Sequence, residues 1–205
     1  MIREASGIIL CGGLGTRMGG TDKSLLRIGG ETFLDILIRT LQPLFPELLV
    51  VTRDPQSYAD RGCRIVTDLF ELRSSLTGIH AGLVNAGNEH AFVTACDTPL
   101  LRRDLVSALL EMGDPGDDVV VPRDGELFEP LCAIYSKRCL PVIERLLAGG
   151  RVKVSGLFQQ VRVRQVPIAS LQPADPGLES FLNINTPSDL DRIRRAFASS
   201  RARTG

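Results

Sequence analysis

Histidine is scarce in this chain, cysteine has no pattern, and neither sign of charge is in excess. His80 and His90 are too few and too isolated to build a metal site. The five cysteines (Cys11, Cys63, Cys96, Cys132, Cys139) are odd in number and widely spread. No Cys-x-x-Cys occurs, which argues against a zinc or iron–sulfur centre and leaves most of them as small buried apolar residues. The 24 basic residues cancel the 24 acidic ones. That balance argues against a broad nucleic-acid or membrane surface, although a local basic groove stays compatible with it. No apolar run approaches the roughly 18 residues of a membrane span. No secretory apolar region precedes the first strand, since Met1-Ile2-Arg3-Glu4 leads straight into it. A soluble cytoplasmic protein is therefore expected. No Ser-His-Asp or Cys-His arrangement is legible either. A chemistry of positioned phosphates, a metal ion and fixed cations needs none.

The 205 residues suffice for one domain with a substantial core, and 43% apolar with 23% charged residues is ordinary globular composition. Apolar strand patterns alternate with helical ones. Strands are expected at 6–10, 47–52, 64–67, 91–95 and 118–121, and helices at 32–41, 77–86 and 101–112. This alternation predicts an α/β fold with a mostly parallel sheet and helices on both faces. After Pro122 the pattern changes. The stretch 129–135 suggests an antiparallel strand, 137–148 a helix closed by Gly149-Gly150, 152–158 a short helix, and 160–166 an edge strand. Thr186 and Pro187 suit the N-cap and first position of a last helix reaching about Phe197. With no internal repeat and no low-complexity linker, a single domain over 1–205 is expected, its tail 199–205 flexible.

The chemistry gathers between Leu10 and Lys23, where five of fourteen residues are glycine. A strand running into a glycine-rich loop with Arg17 and Lys23 suits a phosphate chain. Backbone N–H groups can approach closely there, and the cations balance the charge. Asp22 separates Thr21 from Lys23, so the loop is not a Walker A motif, and Met18 occupies the third glycine position of a dinucleotide fingerprint. Asp68 and Asp97 each follow an apolar strand. In a parallel sheet both reach the edge that carries the loop. A carboxylate there can share Mg²⁺ with phosphate oxygens and waters. The alternatives are a cap for Asp97, on a helix starting near Leu100, and an ordinary turn or cap for Asp68.

These residues resemble one family. Leu10-Cys11-Gly12-Gly13, Arg17-Met18-Gly19 and Asp22-Lys23 are similar to the signature L-x-G-G-x-x-x-R-M-G-x-D-K of molybdenum cofactor guanylyltransferases. Cys96-Asp97-Thr98-Pro99 resembles their C-D-x-P motif, Asn183-Ile184-Asn185-Thr186-Pro187 their N-x-N-T-P, and Glu129-Pro130-Leu131 their central x-P-L. The resemblance implies a Rossmann-like nucleotidyltransferase sandwich. It implies that GMP from GTP is joined to the terminal phosphate of the molybdenum-bound pterin, molybdopterin, with release of pyrophosphate. It also implies transient contact with enzymes that supply or receive the cofactor. By the resemblance, Leu10, Cys11, Gly12, Gly13 and Gly78 hold the nucleotide, with Asp68 near it. Arg17 and Lys23 face the phosphates, Asp97 binds Mg²⁺, and Asn183 and Asn185 lie on the pterin side. Read without the family, the two asparagines are a polar turn before the last helix.

Two departures stand out. Cys11 replaces the usual Ala, and Ser74-Ser75-Leu76-Thr77-Gly78 stands where the family shows G-P-L-x-G. Thr52 and Arg53 align with the family only across a gap. Cytidylyl transfer, a sugar-phosphate nucleotidyltransferase and a non-catalytic nucleotide-binding module are the competing readings.

Overall fold

The structure is a computed structural model that describes residues 1–11, 23–58, 61–68, 70, 73–184 and 186–204. Strand β1 (Ala5–Cys11) is buried along nearly its whole length, so it must lie between two layers. It pairs in parallel with β4 (Leu48–Thr52) and β6 (His90–Ala95). Two short strands, β2 (Arg27–Ile28) and β3 (Glu31–Thr32), form a separate hairpin. The eight-stranded main sheet also takes in β5 (Arg64–Thr67), β7 (Val119–Asp124), β8 (Leu127–Phe128), β9 (Cys132–Ser136) and β10 (Val163–Pro167). Its order is β10-β7-β9-β6-β1-β4-β5, with β8 paired to β7. Only β9 runs against the other strands of that path. The connection from β7 to β9 is too short for the crossover that a parallel neighbour requires, so the chain turns back on itself.

Adjacent residues of β1 serve opposite faces. Ile9 joins Phe92, Ile134 and Val120 under α1 (Phe33–Leu41) and α3 (Arg103–Met112). Ile8 joins Val93, Val121 and Tyr135 under α2 (Ser75–Asn85) and α4 (Leu140–Ala148). A mostly parallel sheet with helices on both faces is the architecture expected from the alternating patterns. Cys11, Cys96, Cys132 and Cys139 are buried within it. Burial pushes the Cys132 thiol well up and that of Cys139 to about 12, which keeps both neutral. Among the described residues no helix is long and apolar enough to cross a membrane.

Local chemistry moves several boundaries. The β2–β3 hairpin was not expected. Gly29 and Gly30 turn it at φ 58° and 90°, a conformation open to glycine. Helix α1 follows at once, closed by a capping box between Thr32 and Asp35. Helix α2 starts two residues early because Ser74 caps it and pairs reciprocally with Thr77. Helix α3 starts at Arg103, later than expected. A single turn, α5 (Ser155–Phe158), falls inside 152–158. The last helix, α6 (Pro187–Thr204), runs past Phe197 into the stretch expected to be a tail. That stretch holds no proline and meets no glycine before Gly205, so nothing in it stops a helix.

Edge strand β10 is held by charge as well as by its ladder. Asp117 is only 2% exposed and accepts from Arg164, from the N–H of Asp114 at 2.9 Å and, as an ion pair, from Arg162 at 3.4 Å. Burial alone would raise its carboxyl. The Arg164 and Asp114 hydrogen bonds and the two guanidinium charges outweigh that and hold it below the usual carboxylate range. A depressed carboxyl stabilises the fold above its unfolded pKa, and that stability is lost as pH falls through the folded value. Asp117→Asn should therefore cost about 2 kcal/mol at neutral pH. Thermal melts should show the gap from wild type closing below about pH 4. A gap that does not change with pH would mean that the charge is not what holds β10.

Candidate active site

Because β1 and β6 are parallel neighbours, their carboxyl ends meet. The Cys96 N–H donates to the Leu10 carbonyl at 3.1 Å, which extends the ladder one residue beyond β6 and brings Asp97 beside the end of β1. The turn is fixed from below. Thr98 Oγ1 donates to the Ala95 carbonyl at 2.8 Å and shares a 3.1 Å hydrogen bond with Thr94 Oγ1. Both threonines are buried. Helix α3 begins beyond this turn and its N-cap is Arg102, so Asp97 caps no helix.

Residues 12–22 follow β1. Of the residues expected at the site, Gly12, Gly13, Arg17 and Asn185 lie outside the described residues. The chain resumes at Lys23 in a single 3-10 turn, Lys23–Leu25. Lys23 Nζ donates to Asp97 Oδ2 at 3.0 Å and to the main-chain carbonyl of Ile184. The Ile184 N–H donates in turn to the Asp97 carbonyl at 3.2 Å. Lys23 and Asp97 are 19% and 20% exposed, so this ion pair is partly withdrawn from water and less screened than a surface pair. Asn183 is exposed immediately beside it in the chain. Lys23, Asp97, Leu10 and the segment carrying Asn183 thus share one edge of the sheet.

Asp97 Oδ1 has no hydrogen-bond partner among the described residues, and no group of three potential metal ligands occurs among them. One hard carboxylate oxygen with solvent access fits a divalent cation held mainly by phosphate and water, and it does not fit an all-protein cage.

Asp68 stands at the same edge, past β5, but its carboxylate is engaged. Oδ2 accepts from Thr77 Oγ1 at 2.6 Å and from Arg53 at 3.5 Å, and Oδ1 accepts from the Phe70 N–H at 3.0 Å. Arg53 also donates to the Phe70 carbonyl at 2.6 Å. Asp68 therefore ties the end of β5 to the first turn of α2. Gly78 lies in that helix, where a Cβ would come 3.3 Å from Leu10 Cδ2. One turn on, a Cβ at Gly82 would come 2.7 Å from Ile8 Cδ1. The two glycines let α2 lie directly on β1, and Ser74 supplies the cap where the family shows Gly-Pro.

Across the sheet, Glu129 stands just before β9. Burial, with Asp124 beside it, pushes its carboxyl above the usual range. The sequence reading missed the Ile184 carbonyl, the Thr94–Thr98 pair and the Thr77–Asp68 bond. A main-chain acceptor leaves no mark on residue identity. Thr77 and Thr98 stood only at the variable positions of the quoted motifs.

A family model described as "MobA-like NTP transferase domain" matches residues 7–164. A molybdenum cofactor guanylyltransferase of Desulfosudis oleivorans is 41% identical over 196 residues, covering 96% of this chain and 97% of its own. A probable molybdenum cofactor guanylyltransferase of Natranaerobius thermophilus is 34% identical over 200 residues, with 95% and 97% covered. Among solved structures, molybdopterin-guanine dinucleotide biosynthesis protein A of Archaeoglobus fulgidus superposes with a TM-score of 0.84 at 27% identity, covering 95% of this chain and 99% of its own. With a family model matching residues 7–164 and near-full-length relatives above 30% identity, the chain belongs to the MobA-like NTP transferase family, together with the molybdenum cofactor guanylyltransferases.

Proposed function

We propose that this chain transfers GMP from GTP to the terminal phosphate of molybdopterin, forming the guanine dinucleotide cofactor and pyrophosphate. The observation that carries the reading is the Lys23–Asp97 pair at the carboxyl edge of β1 and β6. It sets a cation and a metal-binding carboxylate side by side, next to the residues that open a glycine-rich loop. Near-full-length relatives named as guanylyltransferases support the choice of reaction.

An acceptor phosphate oxygen attacks the α-phosphorus of GTP, and the bond from that phosphorus to the bridging oxygen breaks as pyrophosphate leaves. The acceptor is already anionic near neutral pH, so no protein base has to remove a proton. This agrees with the absence of histidine from every motif. Lys23, with Arg17, neutralises charge on the phosphates and the departing pyrophosphate. Asp97 holds the Mg²⁺, which when bound supplies Lewis-acid polarisation of the α-phosphate. Leu10, Cys11, Gly12, Gly13 and Gly78 form the nucleotide side, with Asp68 bracing α2 beneath it. By the family resemblance, Asn183 and Asn185 are assigned to the pterin side. The whole chain works as one domain, in the cytoplasm, where enzymes that supply or receive the cofactor make transient contact with it.

Asp97→Asn keeps the size of the side chain and removes its charge. Turnover should fall on the order of 100-fold or more. The partly exposed ion pair it breaks contributes only about 1 kcal/mol, so the melting temperature should move by a few degrees. Pyrophosphate release and a thermal melt on one preparation check both. Full activity, or inactivity accounted for by unfolding, would remove Asp97 from the site.

Base choice is the second test. Guanine offers N1–H and an exocyclic amine as donors and O6 as acceptor. A pocket of backbone groups that pairs them rejects a base leaving them unmatched, by about 10-fold or more. With molybdopterin and Mg²⁺ present, GTP should give the higher kcat/KM. Equal or better turnover with CTP would make this chain a cytidylyltransferase.

A further inference from the structure

Ile184 is fully buried, although it lies between two asparagines of a polar segment. Its side chain enters a third apolar cluster, separate from the two that cover the sheet. Ile28, Phe33, Ile36, Leu100 and Ile193 form the rest of it. These residues come from the β2–β3 hairpin, the start of α1, the turn after Asp97, and α6. The cluster thus gathers the chain segments that follow Lys23 and Asp97 and pins them to the C-terminal helix.

Both main-chain polar groups of Ile184 point back into the site. Its N–H donates to the Asp97 carbonyl at 3.2 Å, and its carbonyl accepts from Lys23 Nζ. A lysine ammonium sits on a flexible four-carbon stem, so its position is set by the acceptors that hold it. Among the described residues, two of its acceptors lie on different segments. Asp97 sits on the β6 turn, and the Ile184 carbonyl sits wherever the buried side chain of Ile184 places its backbone. This second acceptor lies beyond residue 164, where the matched family segment ends.

We propose that Ile184 is a positioning residue for nucleotidyl transfer. The apolar cluster that it anchors holds its carbonyl against Lys23 and so sets where the ammonium meets the phosphates. Helix α6 takes part through Ile193, without supplying a group to the reaction. The inference rests on the reading of Lys23 as the phosphate-facing cation. Shortening Ile184 loosens the segment and lets Lys23 shift away from the Ile184 carbonyl, and displacements of about 1 Å at such a centre can cost up to about 100-fold.

A double-mutant cycle separates this role from simple loss of packing. Ile184→Ala, Lys23→Ala and the double variant are assayed for pyrophosphate release from GTP in the presence of molybdopterin and Mg²⁺, with a thermal melt of each. Lys23→Ala by itself should lower turnover on the order of 100-fold. Ile184→Ala should lower kcat about tenfold while Lys23 is present and less than about twofold once it is gone, because residues acting through one another are not additive. Ile184→Val, which keeps most of the buried surface, should stay within about twofold of wild type. Equal fold-losses in the two backgrounds would overturn the proposal and leave Ile184 a packing residue. Should Ile184→Ala fail to fold, Ile193→Ala perturbs the same cluster from α6, and its loss must shrink in the same way when Lys23 is removed. If Lys23→Ala itself stays within about twofold of wild type, the reading of Lys23 fails first, and the positioning role goes with it.

Discussion

Strand β1 can be buried on both faces only if it lies inside a sheet covered by helices on both sides. That constraint sets most of the architecture. Its neighbours β4 and β6 run parallel to it, so the chain must cross over between strands, and α1 and α2 make the crossings on opposite faces. Parallel neighbours end at the same edge. The end of β1 and the turn carrying Asp97 therefore lie side by side, although more than eighty residues separate them in the chain. On the main path of the sheet the antiparallel strand, β9, comes from the short return after β7, and Glu129 reaches the same edge by that route.

At Asp97 the electrostatics differ from those at Asp117 and Asp68. The Asp117 cluster beneath β10 joins a nearly inaccessible carboxylate to arginines that reach solvent, and it works as a clamp. Asp68 has three protein partners and works as a brace. Asp97 is bound through one oxygen only among the described residues and keeps solvent access at the other, opposite an ammonium. A carboxylate in that condition can exchange water for a cation, and the lysine can exchange part of its contact for phosphate. The distinction rests on how many partners each carboxylate already has, because all three are ordinary aspartates in sequence.

The third apolar cluster joins this edge to the C-terminal part of the chain. Without it, α6 would be a helix beside the sheet and Ile184 a residue in a polar turn. With it, Ile184 is held against Asp97 by a main-chain bond and against Lys23 by its carbonyl. Regions that supply no catalytic side chain can still set the geometry of a site when their packing decides where a backbone acceptor stands.

Much of this was legible in the amino-acid order. Apolar periodicity marked the strands 64–67 and 91–95, the alternation of elements implied a mostly parallel sheet with two helical layers, and strand-end carboxylates next to a glycine-rich loop pointed to phosphate chemistry. These are local signals, carried by residue type and spacing. The tertiary structure decided what depends on partners distant in sequence. It removed Asp97 from any helix cap, gave Asp68 a bracing role at α2, and gave Gly78 a packing reason against Leu10. It also turned Ile184 from a spacer between two asparagines into the residue whose carbonyl faces Lys23. The physical reason is that an acceptor on the main chain is the same for every residue, so its position is determined by packing and is not encoded in any motif.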